Sequence, residues 1–235
     1  MLNKTRHIWK RRAQAWLFDI AGMQGLLDER ETQSLEDHMG FHGQLPEHRR
    51  FQIEELKKLG LQAKHNVLEI GCGPLTAGIP VIQYLDPDHY VGVDVRSNVL
   101  DAAWQQIGRH ELSAKNPRLI RSDNFGSEEL GDRRFDYVWS FSVLFHLSDD
   151  ILDHLFAAVA RRLQKGGIFV ANVQTDLESS TWLQFPFLKR TIGDYRKAAA
   201  KHGFQTEDLG TIEERGFRLP GLERTNPLLK FTLEA

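Results

Sequence analysis

The chain has 235 residues, 41% hydrophobic and 26% charged, enough for one full-sized globular domain with a sizeable core. Its 30 Lys and Arg oppose 32 Asp and Glu, a net charge of −2, which excludes a general basic field for nucleic acid or an anionic membrane. The single cysteine, Cys72, excludes an intrachain disulfide and a thiolate-rich metal cluster, and no apolar run approaches a membrane span. A reduced, soluble, cytoplasmic protein is expected.

Lys4, Arg6, Lys10, Arg11 and Arg12 precede the first acid, Asp19. A transit peptide shares this bias, but no serine occurs before Ser34 and the apolar residues run straight on, so a solvated helix start is expected. Trp9, Ala13, Trp16, Leu17, Ile20, Met23 and Leu27 recur at spacings of three and four, one face of an amphipathic helix over 8–30. That face suits a lid, intramolecular packing or a homodimer with a second copy. A Gly- and His-rich loop follows, then a helix over 47–59 ended by Gly60. His38, His42 and His48 lack the carboxylates of an H-E-x-x-H site, so no metal is expected.

Beyond Gly60 short apolar β runs alternate with helical patterns. Strands are predicted at 66–70, 90–95, 118–121, 135–140 and 167–173, with helices at 78–85, 98–109 and 149–163 between them. The tail adds a helix at 192–202 and β candidates at 204–209 and 228–233. Strict alternation with apolar strands specifies an α/β fold, a parallel sheet covered on both faces. The division is a helical extension or lid over residues 1–60 and an α/β domain over 61–235.

Ligands of open parallel sheets bind beyond the carboxyl ends of the strands. Those ends carry Glu69-Ile70-Gly71-Cys72-Gly73, Asp94, Asp123-Asn124, Ser140 and Asn172, polar mouths on apolar strand bodies. Gly71 and Gly73 permit a sharp turn and close backbone approach, but Thr76 replaces the last glycine of a dinucleotide fingerprint and no nucleoside-triphosphate loop is present. A carboxylate at Asp94 can accept both hydroxyls of a ribose; it also suits the N-terminus of the following helix. A ribose without pyrophosphate, such as a nucleoside with an amino-acid tail, fits this pattern.

These residues resemble a known family. Val67-Leu68-Glu69-Ile70-Gly71-Cys72-Gly73 and Val91-Gly92-Val93-Asp94 resemble the first two motifs of class I S-adenosylmethionine-dependent methyltransferases. Phe135–Ser140 with Val143–Leu147, and Leu163–Phe169, resemble their fourth- and fifth-strand regions, with Lys165 where proline is common. The resemblance implies a Rossmann-like, mostly parallel seven-stranded sheet whose last strand is antiparallel. It implies S-adenosylmethionine as cofactor, with Gly71, Cys72 and Gly73 lining its methionine end and Glu69 holding the amino group. Asp94 would take the ribose, Val95, Asp123, Asn124 and Phe125 the adenine, and Ser140 the methionine portion. The lead-in Gly40–Gln44 followed by Glu47–Phe51 resembles a segment that closes over the cofactor, which makes Gln44 and His42 site candidates; an ordinary loop reads equally well.

A sulfonium methyl is already electrophilic, so alignment and exclusion of water dominate, while an alcohol acceptor also needs a base. His146, six residues beyond Ser140, is the candidate base, with a packing role as the alternative. Trp182 and Phe185 follow the fifth strand, where this family places acceptor contacts; aromatics there also serve as plain core. The expected activity is O-methylation of a small molecule or saccharide, with no nucleic-acid or membrane partner. The rivals are N-methylation of a peptide or amine and a non-catalytic cofactor-binding partner subunit.

Overall fold

The computed structural model describes residues 45–126, 128–175, 180–182, 185–218 and 226–234, with the side chains of 180–182 and 185 excepted. The helix predicted over 8–30 and the loop holding His42 and Gln44 lie outside these residues. Helix α1 (Leu45–Lys58) leads into β1 (Val67–Ile70), α2 (Gly78–Tyr84), β2 (Tyr90–Asp94), α3 (Ser97–Arg109) and β3 (Arg118–Arg121). Then come β4 (Phe135–Ser140), a 3-10 turn (Leu144–His146), α4 (Asp149–Arg162) and β5 (Leu163–Asn172). A small hairpin of β6 (Ser180–Trp182) and β7 (Phe185–Phe187) precedes α5 (Ile192–Ala200), β8 (Phe204–Thr211) and β9 (Pro227–Leu233).

The seven-stranded sheet has the order β3-β2-β1-β4-β5-β9-β8. β1 pairs in parallel with both β2 and β4, β2 with β3 and β4 with β5, while β9 runs antiparallel to β5 and β8. The chain therefore leaves β1 in one direction and returns on its other side at β4. That reversal opens a crevice at the carboxyl ends of β1 and β4.

Alternation along the strands feeds two cores. Leu68, Ile70, Val138, Phe169 and Phe231 pack with Leu155 and Phe156 of α4 and with Tyr195 and Ala199 of α5. Val67, Tyr90, Trp139, Val170 and Leu228 pack on the opposite side with Leu56 of α1, Ile79 and Ile82 of α2, and Ala103 and Ile107 of α3. Helix α5 starts at a capping box in which Thr191 and Asp194 satisfy each other's backbone N–H groups.

From Leu45 onward the predicted strands and helices are present, with shifted ends. The largest shift is at β5, which begins at Leu163 rather than at residue 167. Phe135 pairs with Leu163 but Tyr137 with Ile168, so Gln164–Gly167 bulge out of register. Polar and glycine residues there hide the pairing from a hydrophobicity pattern. The β6–β7 hairpin was not predicted; only three residues per strand is too short for a periodic signal.

Candidate active site

The turn after β1 is tied to β2: the N–H groups of Gly71 and Cys72 both donate to the Val93 carbonyl, at 2.8 and 3.1 Å. Gly71 has φ +70°, and a Cβ added there would meet Val143 Cγ2 at 2.4 Å. Gly73 has φ +52°, and a Cβ there would meet nothing within 4 Å, so its outer side faces open space. The buried Cys72 packs its Sγ toward Gly92 of β2, and burial, with the charges of Asp94 and Glu69, pushes its thiol well above the ordinary value. It is a packing residue held as the unreactive thiol.

Asp94 closes the same loop. Its Oδ2 accepts from Gly73 N–H at 3.0 Å and from Arg96 Nη2 at 3.2 Å, and its Oδ1 accepts from the Arg96 backbone and Nε, each at 3.0 Å. Burial acts to raise its pKa, but the Arg96 guanidinium and these N–H groups outweigh that and hold the carboxyl below its usual value. All four or so lone-pair positions of the carboxylate are in use. Arg96 was missed in the sequence; a basic residue two positions beyond an acidic strand end is the signal that points to it.

Glu69 lies on the α1–α3 side and accepts from the Tyr90 hydroxyl at 2.6 Å. Burial lifts its carboxyl to about 8, with the Tyr90 bond opposing and the Asp94 charge adding. Because the folded value lies above the unfolded 4.5, Glu69 supports the fold fully below pH 4.5 and loses that contribution as the pH rises through about 8. Urea titrations of wild type and Glu69→Gln are therefore expected to diverge from pH 5 to 8, the variant gaining up to about 1.4 kcal/mol per pH unit. A difference independent of pH would mean that Glu69 titrates as it does in water.

On the adenine side of the expected site, Val95 is half-buried and its carbonyl accepts from Arg121 Nε at 3.3 Å. Asp123 is exposed, whereas Asn124 and the positive-φ Phe125 are half-buried. This turn is organised by Ser122, another residue the sequence reading missed: its hydroxyl accepts from Gly126 N–H at 3.0 Å and meets Asn124 Oδ1 at 2.6 Å. Ser140 is fully buried, and its hydroxyl donates to the Ile70 carbonyl at 3.0 Å, locking the mouths of β4 and β1 together. Its oxygen thus stabilises the floor of the crevice.

His146 ends the 3-10 turn, and its Nδ1 lies 2.8 Å from the Pro186 carbonyl. Since a carbonyl only accepts, Nδ1 carries the hydrogen and Nε2 carries the lone pair. Burial drives its pKa down to about 4, against the Pro186 bond and with a further push from the Arg96 charge. The ring sits between Phe145 and Phe187, at centroid distances of 4.4 and 4.9 Å. Leu188 N–H also donates to the Phe145 carbonyl, and Arg190 to the Leu147 carbonyl and to Asp149. The segment after β7 is therefore strapped over His146. Trp182 and Phe185 pair across the β6–β7 hairpin, but their side chains lie outside what is described, as do His42 and Gln44.

A third wall comes from α1. Trp139 Nε1 donates to Gln52 Oε1 at 2.8 Å, which leaves the Gln52 amide NH₂ to donate to His48 Nε2 at 3.1 Å. His48 stacks on Phe217 at 4.7 Å and meets Phe141 edge-on; burial, then the Arg49 charge, lowers its pKa to about 3. Neutral His48 anchors α1 over the mouth of β4.

Residues 68–169 match a family described as a methyltransferase domain. An uncharacterized methyltransferase of Schizosaccharomyces pombe is 29% identical over 119 residues, which are 48% of this chain and 41% of that protein. The chain spans about half the length of the curated relatives it matches. Among solved structures, an S-adenosylmethionine-dependent methyltransferase from Clostridium acetobutylicum superposes with a TM-score of 0.65 at 14% identity, covering 85% of this chain and 96% of that one. The magnesium protoporphyrin IX methyltransferase of Synechocystis with bound S-adenosylmethionine gives 0.63 at 14% identity, covering 94% and 97%. Among the described residues no helix is long and apolar enough to cross a membrane. With its motifs in order and its sheet in this topology, the chain carries a methyltransferase domain over residues 68–169 and shares the fold of S-adenosylmethionine-dependent methyltransferases.

Proposed function

We propose that the chain transfers the methyl group of S-adenosylmethionine to an oxygen of a small organic acceptor. The observation that carries this reading is the joint placement of Gly73 and Asp94, a bare backbone turn beside open space with a buried, ionised carboxylate bound to it. That pair fits a ribose diol once the Arg96 side chain yields its two positions on the carboxylate. Glu69, buried and electrically strained, fits a cationic amino group, whose charge would favour its ionised form. When bound, S-adenosylmethionine supplies a methyl on a positively charged sulfur.

His146 supports an acceptor of restricted chemistry. With Nδ1–H held by Pro186 it presents only a lone pair, and with a pKa near 4 it stays neutral throughout the physiological range. Such a group orients a hydroxyl by accepting its hydrogen bond, and it takes the proton only when that proton is loosely held. A phenol-like hydroxyl therefore suits it better than a saccharide hydroxyl. The same weak basicity favours a neutral amine nitrogen as the second reading, since that nucleophile attacks before losing its proton.

The test is mass spectrometry of the purified full chain for retained S-adenosyl nucleoside, followed by labelled-methyl transfer to a panel of phenols and amines. Turnover of a phenol is expected to be flat from about pH 5.5 upward on the His146 limb, because the imidazole is already neutral there. His146→Ala is expected to lower kcat by roughly 10²-fold with little change in cofactor binding. Undiminished kcat in that variant would reduce His146 to a packing residue.

A further inference from the structure

At the carboxyl end of β5, Asn172 is completely buried, and its Oδ1 accepts from Ser142 N–H at 2.6 Å. That bond decides which end of the amide is which: the oxygen is taken, so the NH₂ group is the other end. Among the described residues no group accepts from that NH₂, although it is shielded from solvent. An unmet buried donor costs about 1–3 kcal/mol, so its retention calls for an explanation. Two residues on, buried Gln174 has its Oε1 equally without a partner.

Extended-chain alternation puts residues 172 and 174 on the same side as Val170, which is the side of Trp139 and α1. Asn172 also grips the loop that starts at Ser142, whose φ is +59°, and ends at His146. The unmet amide thus belongs to the wall between the candidate base and the aromatic group of Trp139, Phe141 and His48. The Asn172 NH₂ calls for an acceptor oxygen, and the Gln174 Oε1 for a donor. Elsewhere, the buried Arg190 and Tyr195 adjoin one another below the strap, with the guanidinium 5.8 Å from the Tyr195 ring, so each serves the other.

We propose that Asn172 is a specificity-determining residue whose Nδ2 donates to a carbonyl oxygen carried on an aromatic acceptor, with Gln174 bordering the same subsite. This rests on the methyl-transfer reading and narrows it: an aryl ketone, amide or ester that also bears the hydroxyl to be methylated. A carbonyl conjugated with a phenol loosens the phenolic proton, which matches the weak basicity of His146.

The experiment uses the full chain saturated with S-adenosylhomocysteine, whose own binding is measured first by calorimetry, and two probes, 4-hydroxybenzamide and 4-methylphenol. Wild type is expected to bind 4-hydroxybenzamide at least tenfold more tightly, and the Asn172 side-chain NH₂ signals, assigned by their loss in Asn172→Leu, to move downfield on saturation. Asn172→Leu is expected to erase the preference and keep S-adenosylhomocysteine binding. Asn172→Asp, which retains an oxygen for Ser142 N–H but lacks the donor, serves where the leucine variant does not fold. Equal binding of the two probes, stationary Asn172 signals, or a preference that survives in both variants overturns the proposal while leaving the methyl-transfer reading intact. Failure of S-adenosylhomocysteine to bind wild type overturns that reading instead.

Discussion

Asp94→Ala is expected to abolish measurable binding of S-adenosylhomocysteine, while Arg96→Met is expected to strengthen it. The carboxylate would give a ribose two charge-assisted hydrogen bonds, each worth about 1.5–3 kcal/mol, so its removal costs on the order of 10²-fold or more in affinity. Arg96 acts in the opposite direction, because its Nε and Nη2 occupy both carboxylate oxygens at 3.0 and 3.2 Å. Any ligand that uses those oxygens must first displace the guanidinium. Taking it away is expected to tighten binding roughly threefold to tenfold, a gain on the scale of about 1 kcal/mol per bond no longer broken. Calorimetry at pH 8 is the right condition, since without Arg96 the buried carboxyl drifts upward and must still be ionised. Weaker binding by Arg96→Met would identify the guanidinium as a positive contact rather than a competitor. Circular dichroism of Asp94→Ala separates loss of the site from loss of the fold.

Gly71→Ala carries the second large effect, on stability. Two costs combine at this position. The φ of +70° is strained for any residue with a Cβ, by about 1–2 kcal/mol, and the new methyl would sit 2.4 Å from Val143 Cγ2. Overpacking of that kind adds about 1–3 kcal/mol. The sum lowers the melting temperature by roughly 5–15 °C for a domain of this size. Pairing the change with Val143→Ala is expected to recover only the steric part, because the backbone cost is independent of its neighbour. Full recovery in the double variant would show that the turn relaxes to a negative φ.

Much of this architecture was legible because two periodicities, one of two and one near 3.6, follow each other without interruption from Val67 to Asn172. The glycine turn and Asp94 were legible for a different reason: a strand end followed by such residues has few structural uses. What escaped was settled by long-range contacts. Nothing local in Ser140 says that its hydroxyl is spent on the Ile70 carbonyl, 70 residues away in the chain. The identity of His146 was readable, but its neutrality arises from burial under a strap that begins 40 residues later in the chain. Asn172 was visible as a polar strand end; that its NH₂ lacks a partner could be seen only in three dimensions.

The interleaving of the last strands has a consequence for synthesis. β8 leaves the ribosome before β9, yet it reaches the sheet only through β9, which pairs with β5 on one side and β8 on the other. A nascent polypeptide that has emerged as far as β8 therefore holds five paired strands and a naked β5 edge, where Phe169 and Val170 offer unmet backbone groups to any passing neighbour. Translational pausing within that interval would favour aggregation, and holdase chaperones would have their target there.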